Sequence, residues 1–130
     1  MANEKIKYSN GCSPQELEST SVRWFQDSDV GAKLSGSANV AMSGGSLVHV
    51  SSKTITSAET TLTVKDFIYV KCISGDDVKI SLDNGTSDLI RLSAGESFAS
   101  EINYDASNPN NSAIVIDTDG TSTIEYLSGT

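Results

Sequence analysis

Histidine and tryptophan each occur once in this 130-residue chain, and proline and cysteine twice each. The scarcity narrows the chemistry at once. One histidine and two well-separated cysteines cannot build the usual four-ligand zinc cage. The same histidine, His49, leaves nucleophilic catalysis with a single candidate imidazole base, and it sits in Leu47-Val48-His49-Val50-Ser51 on the strand face opposite Val48 and Val50. Basic residues are also few, nine Lys and Arg against 17 Asp and Glu, for a net charge of −8. They are scattered, whereas phosphate neutralisation needs clustered cations, so no nucleic-acid partner is expected. No run approaches the ~18 apolar residues of a membrane helix, and the first ten residues have no apolar signal core, so no membrane partner is expected and synthesis in a cytoplasm is. Cys12 stands in a polar leader and Cys72 inside an apolar run. That points to a surface thiol and a buried small hydrophobe rather than a disulfide.

What the chain does have is serine, threonine and alternation. Its hydrophobic content of 37% suits one domain with a thin core between two sheets. From Ser46 onward apolar residues recur with period two: Leu47, Val48 and Val50, then Ile55, then Leu62 and Val64, then the β-branched and aromatic run Phe67-Ile68-Tyr69-Val70-Lys71-Cys72-Ile73. Turn chemistry punctuates the runs at Ser74-Gly75-Asp76-Asp77, Asp83-Asn84-Gly85-Thr86, Ser93-Ala94-Gly95-Glu96, Ser107-Asn108-Pro109-Asn110 and Asp117-Thr118-Asp119-Gly120. This cadence predicts an all-β fold, an antiparallel β-sandwich of jelly-roll or immunoglobulin-like type. Val78–Asp83 and Ser87–Leu92 are expected to pair through Asn84-Gly85, and residues 113–116 and 121–127 to close a final hairpin.

Residues 1–45 differ. They form a polar, glycine-punctuated arm ahead of a sandwich domain at 46–130, with apolar clusters only around Val22, Trp24 and Phe25 and around Val40, Ala41 and Met42. Ser13-Pro14-Gln15-Glu16 carries a helix-start signature, Ser as N-cap, Pro at the first position and Glu at the third, so the arm holds at most one short helix. The expected partner-binding residues are Leu17, Trp24 and Phe25 as packing anchors and Arg23 as a charged rim, with Trp24-Phe25 equally suited to plug the bottom of the chain's own core.

Four stretches carry a resemblance: Val70–Ile73, Val78-Lys79-Ile80-Ser81-Leu82-Asp83-Asn84-Gly85, Leu89-Ile90-Arg91-Leu92-Ser93-Ala94-Gly95-Glu96 and Thr123-Ile124-Glu125-Tyr126-Leu127. Together, over about residues 46–127, they resemble a pattern in small tailed-bacteriophage virion proteins. The resemblance implies a non-enzymatic structural component of head or tail, located in the virion. The expected function is decoration or cementing of a capsid by bridging coat subunits. Its partners would be the major capsid protein or other virion proteins, and the chain itself would form a homo-oligomer, a trimer. The alternative is a tail-fibre or tail-tip module that binds a host-surface carbohydrate through loops at one end of the sandwich.

Other chemistry fares less well. The carboxylates Asp76, Asp77, Asp83, Asp88 and Glu96 fall in or beside turns, where Asp bonds its own backbone, so no catalytic pair is expected. Asp117-Thr118-Asp119-Gly120 begins like a calcium loop, but its twelfth position is Ser128 instead of a bidentate Glu. No cofactor and no metal are expected.

Overall fold

In the computed structural model the described residues are 5–13, 34–42, 47–62, 64–83, 85, 87–88, 90–102 and 114–129, and among them there is no helix. The strands are β1 (Lys5–Cys12), β2 (Leu34–Ala41), β3 (Leu47–Thr56), β4 (Thr60–Leu62), β5 (Phe67–Gly75), β6 (Val78–Ser81), β7 (Ile90–Leu92), β8 (Ser97–Glu101), β9 (Ile114–Thr118) and β10 (Thr121–Gly129). The chain divides into two compact units, one of Met1–Ile6 with Val40–Thr130 and one of Lys7–Asn39. β1 and β2 form a two-stranded sheet. The leader was expected to be a polar arm, and these two strands are a finding its sequence did not announce: only Ile6, Tyr8, Ala38 and Val40 are even half-buried, too few for a clear alternation signal. The expected helix start at 13–18 falls almost wholly outside the described residues.

The larger unit is an antiparallel sandwich. One sheet has the order β3-β10-β5-β8 and the other β4-β9-β6-β7. Four of the neighbouring pairs are β3 with β10, β4 with β9, β5 with β8 and β6 with β7. The eight strands therefore pair as one long hairpin, first with last and so inward, and successive pairs alternate between the two sheets. That is the jelly-roll arrangement, and it decides between the two sandwich types the sequence allowed. The core lies between the sheets. Ile55, Ile68, Val70, Cys72, Ile124 and Tyr126 from one sheet meet Leu62, Val78, Ile80, Leu92, Ile114 and Ile116 from the other. Each follows from period-two alternation: Ile68, Val70 and Cys72 are fully buried while Tyr69 and Lys71 between them face outward.

Two expected turns come out differently. β9 and β10 lie in different sheets, so Asp117-Thr118-Asp119-Gly120 makes a corner and not a hairpin. The reason is its lock onto the β5–β6 turn. The Asp76 N–H donates to the Thr121 carbonyl at 3.1 Å, the Thr121 N–H donates to Asp76 Oδ2 at 3.1 Å, and the Ser122 hydroxyl donates to the Asp76 carbonyl. Gly75 sits in this lock with φ of 97°, and a Cβ there would overlap the Thr121 carbonyl oxygen.

The second difference is at Asn84-Gly85. β6 and β7 do pair, Val78 with Leu92 and Ile80 with Ile90, which turns Ile90 and Leu92 into the core. The ladder stops there, however, whereas on its other edge β6 pairs with β9 from Val78 through to Ser81, which lies opposite Val115. The connection is wider than a two-residue turn because side chains organise it. The buried Ser81 hydroxyl donates to Asp83 Oδ1 at 2.7 Å and accepts the Gly85 N–H at 2.8 Å, and Asp83 Oδ1 accepts the Ser87 N–H at 2.8 Å. The turn at Ala94-Gly95 is as expected, with Gly95 at φ 91° and its N–H donating to the Cys72 carbonyl.

Candidate functional site

β3, β10 and β5 bring one polar group together on the outer face of their sheet. His49 pairs with Leu127 across the β3–β10 ladder, Leu127 pairs with Tyr69 across the β10–β5 ladder, and Glu125 pairs with Lys71 one row on. The flanking residues Ile124, Tyr126, Val70 and Cys72 are buried, which fixes Glu125, Leu127, Tyr69 and Lys71 on the outside. His49 Nε2 lies 2.9 Å from Glu125 Oε2, with the imidazole 52% and the carboxylate 29% exposed. The Tyr69 hydroxyl donates to the same carboxylate, and the phenol is pushed above the usual tyrosine range by partial burial first, then by the Glu125 charge and hydrogen bond. One carboxylate thus ties three strands, with His49 and Glu125 76 positions apart in sequence. Lys71 stands opposite Glu125 and makes no ion pair among the described residues.

The outer face of the second sheet carries a different network. Lys79 Nζ lies 2.8 Å from Asp119 Oδ1, 3.6 Å from Asp117 Oδ2 and 3.9 Å from Asp88 Oδ2. The hydrogen bond from Lys79 holds the Asp119 carboxyl below the ordinary range, and the same bond raises the Lys79 amine. Arg91 pairs with Asp77 at 3.5 Å, and Asp77 also accepts from the Ser93 hydroxyl at 3.0 Å. Asp83 is held low chiefly by the Ser81 hydroxyl.

The turn carboxylates named from sequence therefore each have a structural partner. Asp76 holds the corner, Asp77 binds Arg91, Asp83 organises its loop, Asp88 and Asp119 flank Lys79, and Glu96 accepts the Ser93 N–H at 2.7 Å. Among the described residues no group of three His, Cys, Asp or Glu side chains could hold a metal. Cys12 is exposed and Cys72 buried, as expected, and burial raises the Cys72 thiol ahead of Asp77 and Glu96.

Surface cavities occur among the described residues. Val40, Asp66, Glu101 and Ile102 line one of about 390 Å³, and Asn10, Gly11, Cys12, Leu34, Ser35 and Gly36 line another of about 340 Å³. Leu17, Arg23, Trp24 and Phe25, the expected partner-binding residues, lie outside the described residues. The sequence places His49 on the strand face opposite Val48 and Val50 but does not reveal its company. The outward positions of the strands around Tyr69, Lys71 and Glu125 were legible from alternation, but the strand order that sets them side by side was not.

No protein-family model matches the sequence, and no curated protein matches it.

Proposed function

We propose that this chain is a non-enzymatic virion structural protein that decorates or cements a bacteriophage capsid by bridging neighbouring coat subunits. The jelly-roll strand order carries the reading. The fold recurs in viral capsid and lectin domains, and here it is built from the same runs that resemble small phage virion proteins. Fold alone does not fix function, and the side-chain chemistry adds its own support. The carboxylates tie turns and strands together, and His49 is bonded to Glu125 on an open sheet face instead of lining a cleft. Such a body is rigid, and it binds through faces and edges. Adding the purified chain to expanded empty capsids tests this: saturable binding with a raised capsid disruption temperature is the expected result, and no binding refutes it.

The jelly roll's use in lectins favours one second reading, a tail-associated module that takes a host-surface carbohydrate. Glycan-array binding without capsid binding would select it.

A further inference from the structure

We infer that the outer face of the β3-β10-β5-β8 sheet packs against the same face of a second copy of this chain, about a two-fold axis lying between β10 and β5 and parallel to them. The inference comes from the face itself and does not depend on the functional reading. β10 and β5 are the central strands of this sheet. A two-fold axis between them, in the plane of contact, places each β10 residue over the β5 residue of its own row in the other molecule. Glu125 then faces the partner's Lys71, and Lys71 faces the partner's Glu125, because the two are direct cross-strand neighbours. In the next row Leu127 falls over the partner's Tyr69 and, one strand further out, His49 over the partner's Ala99.

The pattern is self-complementary in charge and in size. It pairs a cation with an anion twice, an aliphatic side chain with an aromatic ring twice, and a large side chain with a small one twice. An isologous contact demands this kind of reciprocity. Lys71, which has no ion pair among the described residues, gains one.

Charge also selects this face. The chain as a whole carries −8. Around the centre of the face Lys71 offsets Glu125, so two copies approach here without the repulsion that their acidic turns impose elsewhere. Ile73, 42% exposed at the far end of β5, extends the apolar part.

The area fits a weak pair. Strands of ten, nine, nine and five residues, at ~3.4 Å per residue and ~4.8 Å apart, give a face of roughly 540 Å², just under the ~600 Å² per partner at which specific interfaces begin. Gly129 at one end is already covered by Met42, so the free area is somewhat smaller. The dimer is accordingly concentration-dependent, and it is a pair in place of the trimer expected from sequence.

Sedimentation equilibrium of the full chain across a concentration series tests the proposal, with circular dichroism confirming that each variant is folded. The wild type is expected to pass from monomer to dimer. Lys71→Glu and Glu125→Lys are each expected to weaken the dimer by about tenfold or more, since each creates two like-charge contacts. The double variant, which exchanges the two charges, is expected to recover most of the loss. A wild type that stays monomeric up to about 1 mM, a trimer mass, an undiminished dimer in Lys71→Glu, or a double variant no better than the singles would each overturn it.

Discussion

Replacing Gly75 by alanine strikes the corner that joins the two sheets, and the structure supplies its own control. Gly75 and Gly95 both sit at positive φ, 97° and 91°. A side chain at either position carries backbone strain of about 1–3 kcal/mol. They differ in what a Cβ would meet. At Gly95 nothing lies within 4 Å, whereas at Gly75 the Cβ would overlap the Thr121 carbonyl oxygen and come within 2.8 Å of Ser122 Cα. Both obstacles are backbone and cannot rotate away. Moving them disturbs the Asp76 to Thr121 and Ser122 hydrogen bonds and the first residues of β10, a shift of the kind that costs a further ~1–3 kcal/mol. Gly75→Ala is therefore expected to lose about 4 kcal/mol and Gly95→Ala about 2 kcal/mol. Urea unfolding followed by circular dichroism measures both, and unchanged slopes would show that the same transition is being compared. Equal losses in the two variants would refute the close-approach argument.

Three further outcomes follow from the ionisable groups and thiols. The carboxyl of Asp83 is held low by the Ser81 hydroxyl, so its contribution to stability is present above its unfolded value and is lost as pH falls below about 4; Asp83→Asn should flatten the acid limb of the stability curve measured by urea unfolding. The Tyr69 phenol is held high, so ultraviolet phenolate titration should find it above the ordinary tyrosine range, and Glu125→Gln should bring it part of the way down, burial accounting for the remainder. A thiol reagent applied to the native protein should modify Cys12 rapidly, leaving Cys72 protected until denaturant is added; two equally fast thiols would contradict the packing of β5.

Alternation made the strands legible and the turns made most of their ends legible, but neither says which strand lies beside which. Phe67–Ile73, Val78–Leu82 and Thr121–Leu127 announce themselves by β-branched and aromatic residues at period two. Asp-Thr-Asp-Gly serves a tight hairpin and a corner between sheets equally well, and what chooses the corner is Asp76, distant in sequence. At Asn84-Gly85 the local hairpin signal lost to Ser81, whose buried hydroxyl gathers the loop while its backbone pairs with β9. Lys5–Cys12 and Leu34–Ala41 were invisible as strands because serine, glycine and asparagine fill nearly half of their positions.

The same nonlocality explains why the outer-face cluster escaped the sequence. His49 belongs to the first strand of the jelly roll, Glu125 to the last and Tyr69 to the third, and only the inward-folding order of the pairs sets β10 between β3 and β5. β10 makes both ladders of that sheet's centre, so the face cannot exist until the end of the chain has closed over its beginning. Contacts of such sequence separation are slow to form, because loop-closure entropy opposes them before any contact offsets it. A surface assembled in this way presents its matched rows, Glu125 with Lys71 and Leu127 with Tyr69, only on the finished fold. Partners that recognise the face would therefore engage completed molecules and pass over partly folded ones.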